Sequence, residues 1–126
     1  MNDDRKKILL VDDDKFNVIT LAHYLKPEYE IIVALDGAAA IEMAKEQKPD
    51  LILLDIIMPE MNGFNVLAKL KKSKTTMDIP IIFITRLDTE QFMIKGLSLG
   101  AVGYISKPFD KSEVKAKIEE HLRKPK

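Results

Sequence analysis

The run Leu51-Ile52-Leu53-Leu54 is apolar at every position and closes on a single carboxylate, Asp55. A strand with one wet face alternates apolar and polar residues. A strand apolar on both faces belongs inside a parallel sheet covered on both sides. That constrains the class of fold, because parallel strands need long crossover connections, which are usually helices. It also poses a question of charge, since a carboxylate at the end of a buried strand is costly unless something binds it there.

The rest of the chain supplies the crossovers. Ile8 to Val11 reads as a first short strand, followed by the acidic turn Asp12-Asp13-Asp14. Phe16, Ile19, Leu21, Ala22 and Leu25 recur at helical spacing, and Pro27 ends that helix. Tyr29 to Ala34, with three β-branched residues, predicts the second strand, and Ala38 to Gln47 an Ala-rich helix after the Asp36-Gly37 turn. Asn62 is the expected cap of a helix to about Lys72. Ile81 to Ile84 predicts a fourth strand ending at Thr85. Thr89 to Leu99 reads as a helix with Gly100 at its exit, and Val102 to Ser106 as a fifth strand. After Lys107-Pro108, Asp110 or Ser112 caps a last helix through about Leu122. The expectation is an α/β fold with a doubly wound five-stranded parallel sheet and five helices, one domain over residues 1–126 with 6–123 structured.

Composition narrows the functions. With 20 basic and 20 acidic residues, the formal net charge of zero gives no field that favours nucleic acid or an anionic membrane. The absence of cysteine excludes disulfides, thiolate catalysis and Cys-ligated metals. The polar start and the short Ile8–Val11 run do not make a signal peptide, so a soluble, cytoplasmic protein is expected.

In such sheets, ligands bind beyond the carboxyl ends of the strands, near the point where strand order reverses. Asp12 and Asp13 follow the first strand, Asp55 the third, Thr85 the fourth and Lys107 the fifth. Three carboxylates facing one another repel, and one lysine cannot neutralise them. An all-oxygen donor set suits a hard divalent ion, Mg²⁺ best. An Asp beside Mg²⁺ and Lys suits nucleophilic attack on a phosphoryl group, whose oxygens the cations neutralise while Thr85 donates a hydrogen bond. The plainer alternative is that Asp12 to Asp14 only cap the first helix, a role one of them is expected to fill in any case.

These residues resemble the receiver domain of two-component response regulators, of the chemotaxis-regulator type. The resemblance rests on Val11-Asp12-Asp13, on Asp55 with Met58-Pro59 and Gly63, on Thr85, and on Gly100-Ala101 through Tyr104 to Lys107-Pro108-Phe109. It implies a flavodoxin-like strand order 2-1-3-4-5. It implies that Asp55 accepts phosphate from a histidine kinase or phosphotransfer protein. Asp12, Asp13 and Asp55 would hold Mg²⁺ with the backbone carbonyl of Ile57, and Lys107 would pair with the phosphoryl group. The Lys107–Pro108 bond would be cis. Thr85 would move toward the phosphoryl group and Tyr104 turn inward, which changes the surface of the fourth helix, fifth strand and fifth helix. That surface would control an effector protein or a fused output domain. Such a chain turns over no substrate beyond its own Asp55.

Two positions depart from the pattern. Arg86 stands where the family usually has a small residue; with Ile57 and Leu87 flanking the site it is expected to slow hydrolysis of the acyl phosphate. Val102-Gly103 replaces acidic residues that many DNA-binding relatives use in a salt-bridged dimer. Rival classes fit less well. A phospho-Asp hydrolase needs Asp-x-Asp, but Ile56-Ile57 follow Asp55. A flavin carrier needs a hydroxyl- or Gly-rich phosphate loop where Asp12-Asp13-Asp14 stand, and a degenerate binding module would not need the complete acidic set.

Overall fold

The computed structural model describes residues 5–87 and 89–122. In chain order the elements are β1 (Lys7–Val11), α1 (Lys15–Leu25), β2 (Glu30–Ala34), α2 (Gly37–Gln47), β3 (Leu51–Leu54), α3 (Gly63–Lys71), β4 (Ile81–Thr85), α4 (Glu90–Ser98), β5 (Gly103–Ser106) and α5 (Lys111–Leu122). All four strand pairings are parallel, and the order is β2-β1-β3-β4-β5. Order reverses at β1, whose neighbours β2 and β3 both follow it in sequence. Its carboxyl end and that of β3 are adjacent, with Val11 opposite Leu54.

Side chains alternate across the sheet and divide the core in two. Leu9, Val11, Ile52, Leu54, Ile81 and Phe83 pack with α2 and α3, while Ile8, Leu10, Leu51, Leu53, Ile82 and Ile84 pack with α1 and α5. Residues 51–54 are all fully buried, as a run apolar on both faces requires. No helix among the described residues is long and apolar enough to cross a membrane.

The helix starts use short polar caps. Asp14, Asp36 and Asn62 accept backbone N–H groups at the heads of α1, α2 and α3, and Asn62 and Asn65 cap each other reciprocally. Asp110 rather than Ser112 serves α5, accepting the Glu113 N–H at 2.7 Å. Thr89 is the N-cap of α4 and makes no side-chain cap bond, and Leu99 is its C-cap, so the helix itself is one residue shorter at each end than the expected 89–99. Gly100 leaves α4 with φ +117°, a backbone state that glycine adopts without steric cost.

The apolar face expected for α1 needs correction. Its buried residues are Val18, Leu21 and Leu25. Phe16 and Ile19 are 81% and 64% exposed. At roughly 100° per residue they lie about 160° and 100° around the helix from Val18, away from the sheet.

Candidate functional site

β1 delivers Asp12 and Asp13 to the carboxyl edge of the sheet, and β3 delivers Asp55 beside them. The Asp55 N–H donates to the Val11 carbonyl at 2.9 Å, which ties the two strand ends together. Asp12 and Asp55 are buried, and Asp13 is exposed. One carboxylate oxygen from each lies within 4.8 Å of the others.

Lys107 closes the cluster from the far side. Its N–H donates to the Thr85 carbonyl at 2.8 Å, holding the post-β5 segment to the end of β4. Its Nζ donates to Asp12 Oδ2 at 2.8 Å and to Asp55 Oδ2 at 3.0 Å, with the lysine side chain 9% exposed. The Lys107–Pro108 peptide is cis. A buried pair of this kind favours both charges, yet the two partners respond differently. Burial pushes the Asp12 carboxyl above its ordinary value; the Lys107 and Asp14 hydrogen bonds pull it back, and the charge of Asp55 adds to the rise. Burial alone would lower Lys107, but its hydrogen bonds to two carboxylates and their charges outweigh that and raise it. The Lys107 shift reports the negative charge around it, whereas the Asp12 shift is first an effect of burial, to which Asp55 adds.

The cluster opens into a cavity of about 270 Å³ lined by Asp12, Asp13, Asp14, Asn17, Asp55, Ile57, Arg86 and Lys107. Ile57 is half exposed, and its N–H donates to Asp55 Oδ1 at 3.2 Å. Arg86 is exposed at the mouth. Gly63 lies directly under the strand end, because a Cβ there would sit 2.4 Å from the Asp55 carbonyl oxygen. Asp14, not Asp12 or Asp13, is the α1 cap.

Thr85 and Tyr104 stand apart from that lining. Thr85 is fully buried, and its Oγ accepts the Leu87 N–H at 3.3 Å. Tyr104 is turned inward, 7% exposed, with its hydroxyl donating to the Leu87 carbonyl and its ring 5.9 Å from that of Phe83. Leu87 therefore links Thr85 to Tyr104 through its backbone and does not flank the cavity. Sequence reasoning missed Asn17, whose amide Nδ2 donates to Asp12 Oδ2 at 3.3 Å. Its position, one helical turn after Asp13, was the available signal.

The donor set meets the chemical demand of a hard divalent ion: three close carboxylates, all oxygen, with one ammonium to offset them. A doubly wound parallel sheet with an acidic trio and a lysine at its switch point places the chain among α/β domains with an acidic strand-end pocket. It belongs to the response regulator receiver domain family, whose model matches residues 8–119. It is 43% identical over 118 residues to the response regulator PleD of Caulobacter vibrioides, covering 93% of this chain and 26% of that protein. It is 40% identical over 121 residues to the alkaline phosphatase synthesis transcriptional regulatory protein PhoP of Bacillus subtilis, covering 94% of this chain and 49% of that protein. The chain thus spans at most half the length of these curated relatives. Among solved structures it resembles chemotaxis protein CheY4 of Vibrio cholerae, with TM-score 0.89, 28% identity, and 94% and 99% of the two chains covered. It also resembles the receiver domain of a sensor histidine kinase from Pseudomonas aeruginosa, with TM-score 0.88, 25% identity, and 95% and 99% covered. That domain has a magnesium ion coordinated in its active-site cleft.

Proposed function

We propose that this domain takes a phosphoryl group onto Asp55 from a phosphohistidine of a histidine kinase or phosphotransfer protein. One observation carries the reading: Lys107 bridges Asp12 and Asp55 while Asp13 completes a carboxylate trio within 4.8 Å. A carboxylate oxygen of Asp55 attacks phosphorus, the donor's N–P bond breaks, and the departing imidazole takes a proton. An acyl phosphate on Asp55 results. Asp12, Asp13, Asp55 and the Ile57 carbonyl would hold Mg²⁺, which neutralises phosphoryl oxygens when bound. Lys107 already donates to Asp55 and is placed to follow the charge onto the new phosphoryl group.

The output in this reading is a two-state change at α4, β5 and α5, read by an effector protein or a fused output domain. Thr85 and Tyr104 meet at Leu87, so a hydroxyl drawn toward the phosphoryl group disturbs the backbone that holds the tyrosine. Because Tyr104 is already inward, phosphorylation acts here by shifting a population rather than creating a new rotamer. Reversing a 1:99 ratio takes about 5.5 kcal/mol of differential interaction.

Incubation with Mg²⁺ and a small acyl phosphate, followed by intact-mass measurement, tests the reaction. One added phosphoryl group in the parent and none in Asp55→Ala is the expected result. An absence of adduct with every donor would make the domain a constitutive binding module instead.

A further inference from the structure

Asp12 is the most heavily engaged carboxylate of the site. Its Oδ1 accepts the Asp14 N–H at 2.9 Å; its Oδ2 accepts Lys107 Nζ at 2.8 Å and Asn17 Nδ2 at 3.3 Å. A carboxylate offers about four acceptor positions, so three donors fix its plane and leave one position open. Local geometry explains why Asn17 is one of the three. It stands three residues after the cap Asp14, where a side chain ordinarily reaches back to the cap's own N–H. That N–H is already bound to Asp12 Oδ1, so the amide of Asn17 turns to Asp12 Oδ2 instead. Asn17 is half-buried on the wall shared by the acidic cavity and a neighbouring one of about 360 Å³, which Thr20, Tyr24 and Phe109 help to line.

We propose that Asn17 is a positioning residue for the metal site. Its amide holds the Asp12 carboxylate in the orientation that ligation needs, and keeps holding it when Lys107 turns from Asp12 to the phosphoryl group. The inference rests on the function proposed above. Lys107 is a flexible cation shared between two carboxylates, and the phosphoryl group would compete for it. Asn17 carries no charge and has a short side chain anchored in the first turn of α1. It therefore stays when Lys107 leaves. Donors that orient a metal ligand from behind usually matter about 10- to 100-fold in metal affinity. The 3.3 Å separation places Asn17 at the lower end of that range.

The test is calorimetric titration of the metal-free chain with Mg²⁺, in the parent, Asn17→Leu and Asn17→Gln. Asn17→Leu is isosteric but donates nothing, and should weaken Mg²⁺ about tenfold; Asn17→Gln, which can still donate, should recover most of the loss. Denaturation without metal should show Asn17→Leu losing less in stability than in Mg²⁺ affinity, because the better helix propensity of leucine offsets part of the lost amide hydrogen bond. In a Lys107→Met background, where Asn17 is the one remaining side-chain donor to Asp12 among the described residues, Asn17→Leu should weaken Mg²⁺ by more than it does alone. Equal Mg²⁺ affinity in parent and Asn17→Leu overturns this inference and leaves the proposed function standing. A stability loss in Asn17→Leu matching its affinity loss also overturns it, by making the role merely structural. Failure of the parent itself to bind Mg²⁺ overturns both.

Discussion

Replacing Gly63 by alanine probes how tightly the strand end that carries Asp55 is built. The added Cβ would lie 2.4 Å from the Asp55 carbonyl oxygen and 2.8 Å from the Ile56 Cα, both backbone atoms. Real Cβ contacts stay above 3.0 Å, so the first separation must open by about 0.6 Å. The backbone around Asp55 is held by the bond to Val11 and by the Gly63 N–H, which donates to the Ile56 carbonyl at 2.9 Å. Neither flank can swing aside as a side chain would. Forced overpacking costs about 1–3 kcal/mol, and weakening the Gly63–Ile56 bond adds about 1 kcal/mol. Stiffening the unfolded chain returns about 0.4–1 kcal/mol. A net loss of about 2–3 kcal/mol is expected, or roughly 8–12 °C in Tm for a domain of this size. Gly37→Ala is the control, because its Cβ would meet side-chain atoms only, Met61 Sδ and Val66 Cγ2 at 2.9 Å and Met61 Cβ at 3.0 Å, with no backbone atom as close. Urea denaturation of both variants at unchanged slope measures the difference, and Mg²⁺ affinity should fall with stability only in Gly63→Ala. Equal midpoints for the two variants would refute the reasoning.

Other outcomes follow from the charge cluster. Lys107→Met strands two buried carboxylates, and should cost about 3 kcal/mol without metal. Mg²⁺ supplies the missing positive charge, so most of that loss should return at saturating metal; an equal loss with and without Mg²⁺ would contradict the charge argument. Asp12 is raised above its ordinary 3.8, so the folded state binds its proton more readily than the unfolded chain does. Between 3.8 and the raised value the metal-free protein should therefore gain stability as pH falls, relative to Asp12→Asn. Mg²⁺ needs the ionised carboxylate, so its affinity should begin to fall above the ordinary aspartate range; a flat affinity down to 3.8 would exclude the shift. Arg86 lines the mouth of the pocket, and Arg86→Ala should lose phosphate from Asp55 faster than the parent. Equal or slower decay, followed by intact mass, would assign Arg86 to solvent alone.

Much of this molecule is legible in the chain because the strongest signals are local. Residues 51–54 announce a strand buried on both faces, and every residue there is buried. Asn62 announces a helix cap, and the cap forms. The α1 face was less legible, because the five apolar residues at helical spacing include only Leu21 and Leu25 of the three that face the sheet, and leave out Val18. Packing against β1 and β2 selected Val18, Leu21 and Leu25 and left Phe16 and Ile19 in water. In the sequence Leu87 reads as an apolar neighbour of the pocket. Its contribution is instead its peptide group, shared between Thr85 and Tyr104, and no side-chain pattern reveals a backbone contact.

The sequence by itself determined the order of strands and helices, since apolar period and capping chemistry act over a few residues at a time. It also determined which residues reach the carboxyl edge, because each follows a strand. Tertiary structure alone decided how they meet. Asp12 and Lys107 are 95 residues apart, and only the parallel alignment of β1, β3, β4 and β5 brings Nζ to 2.8 Å from Oδ2. That alignment leaves three carboxylates facing one ammonium. The resulting surplus of negative charge is a property of the assembled sheet, and it gives the pocket its demand for a divalent cation.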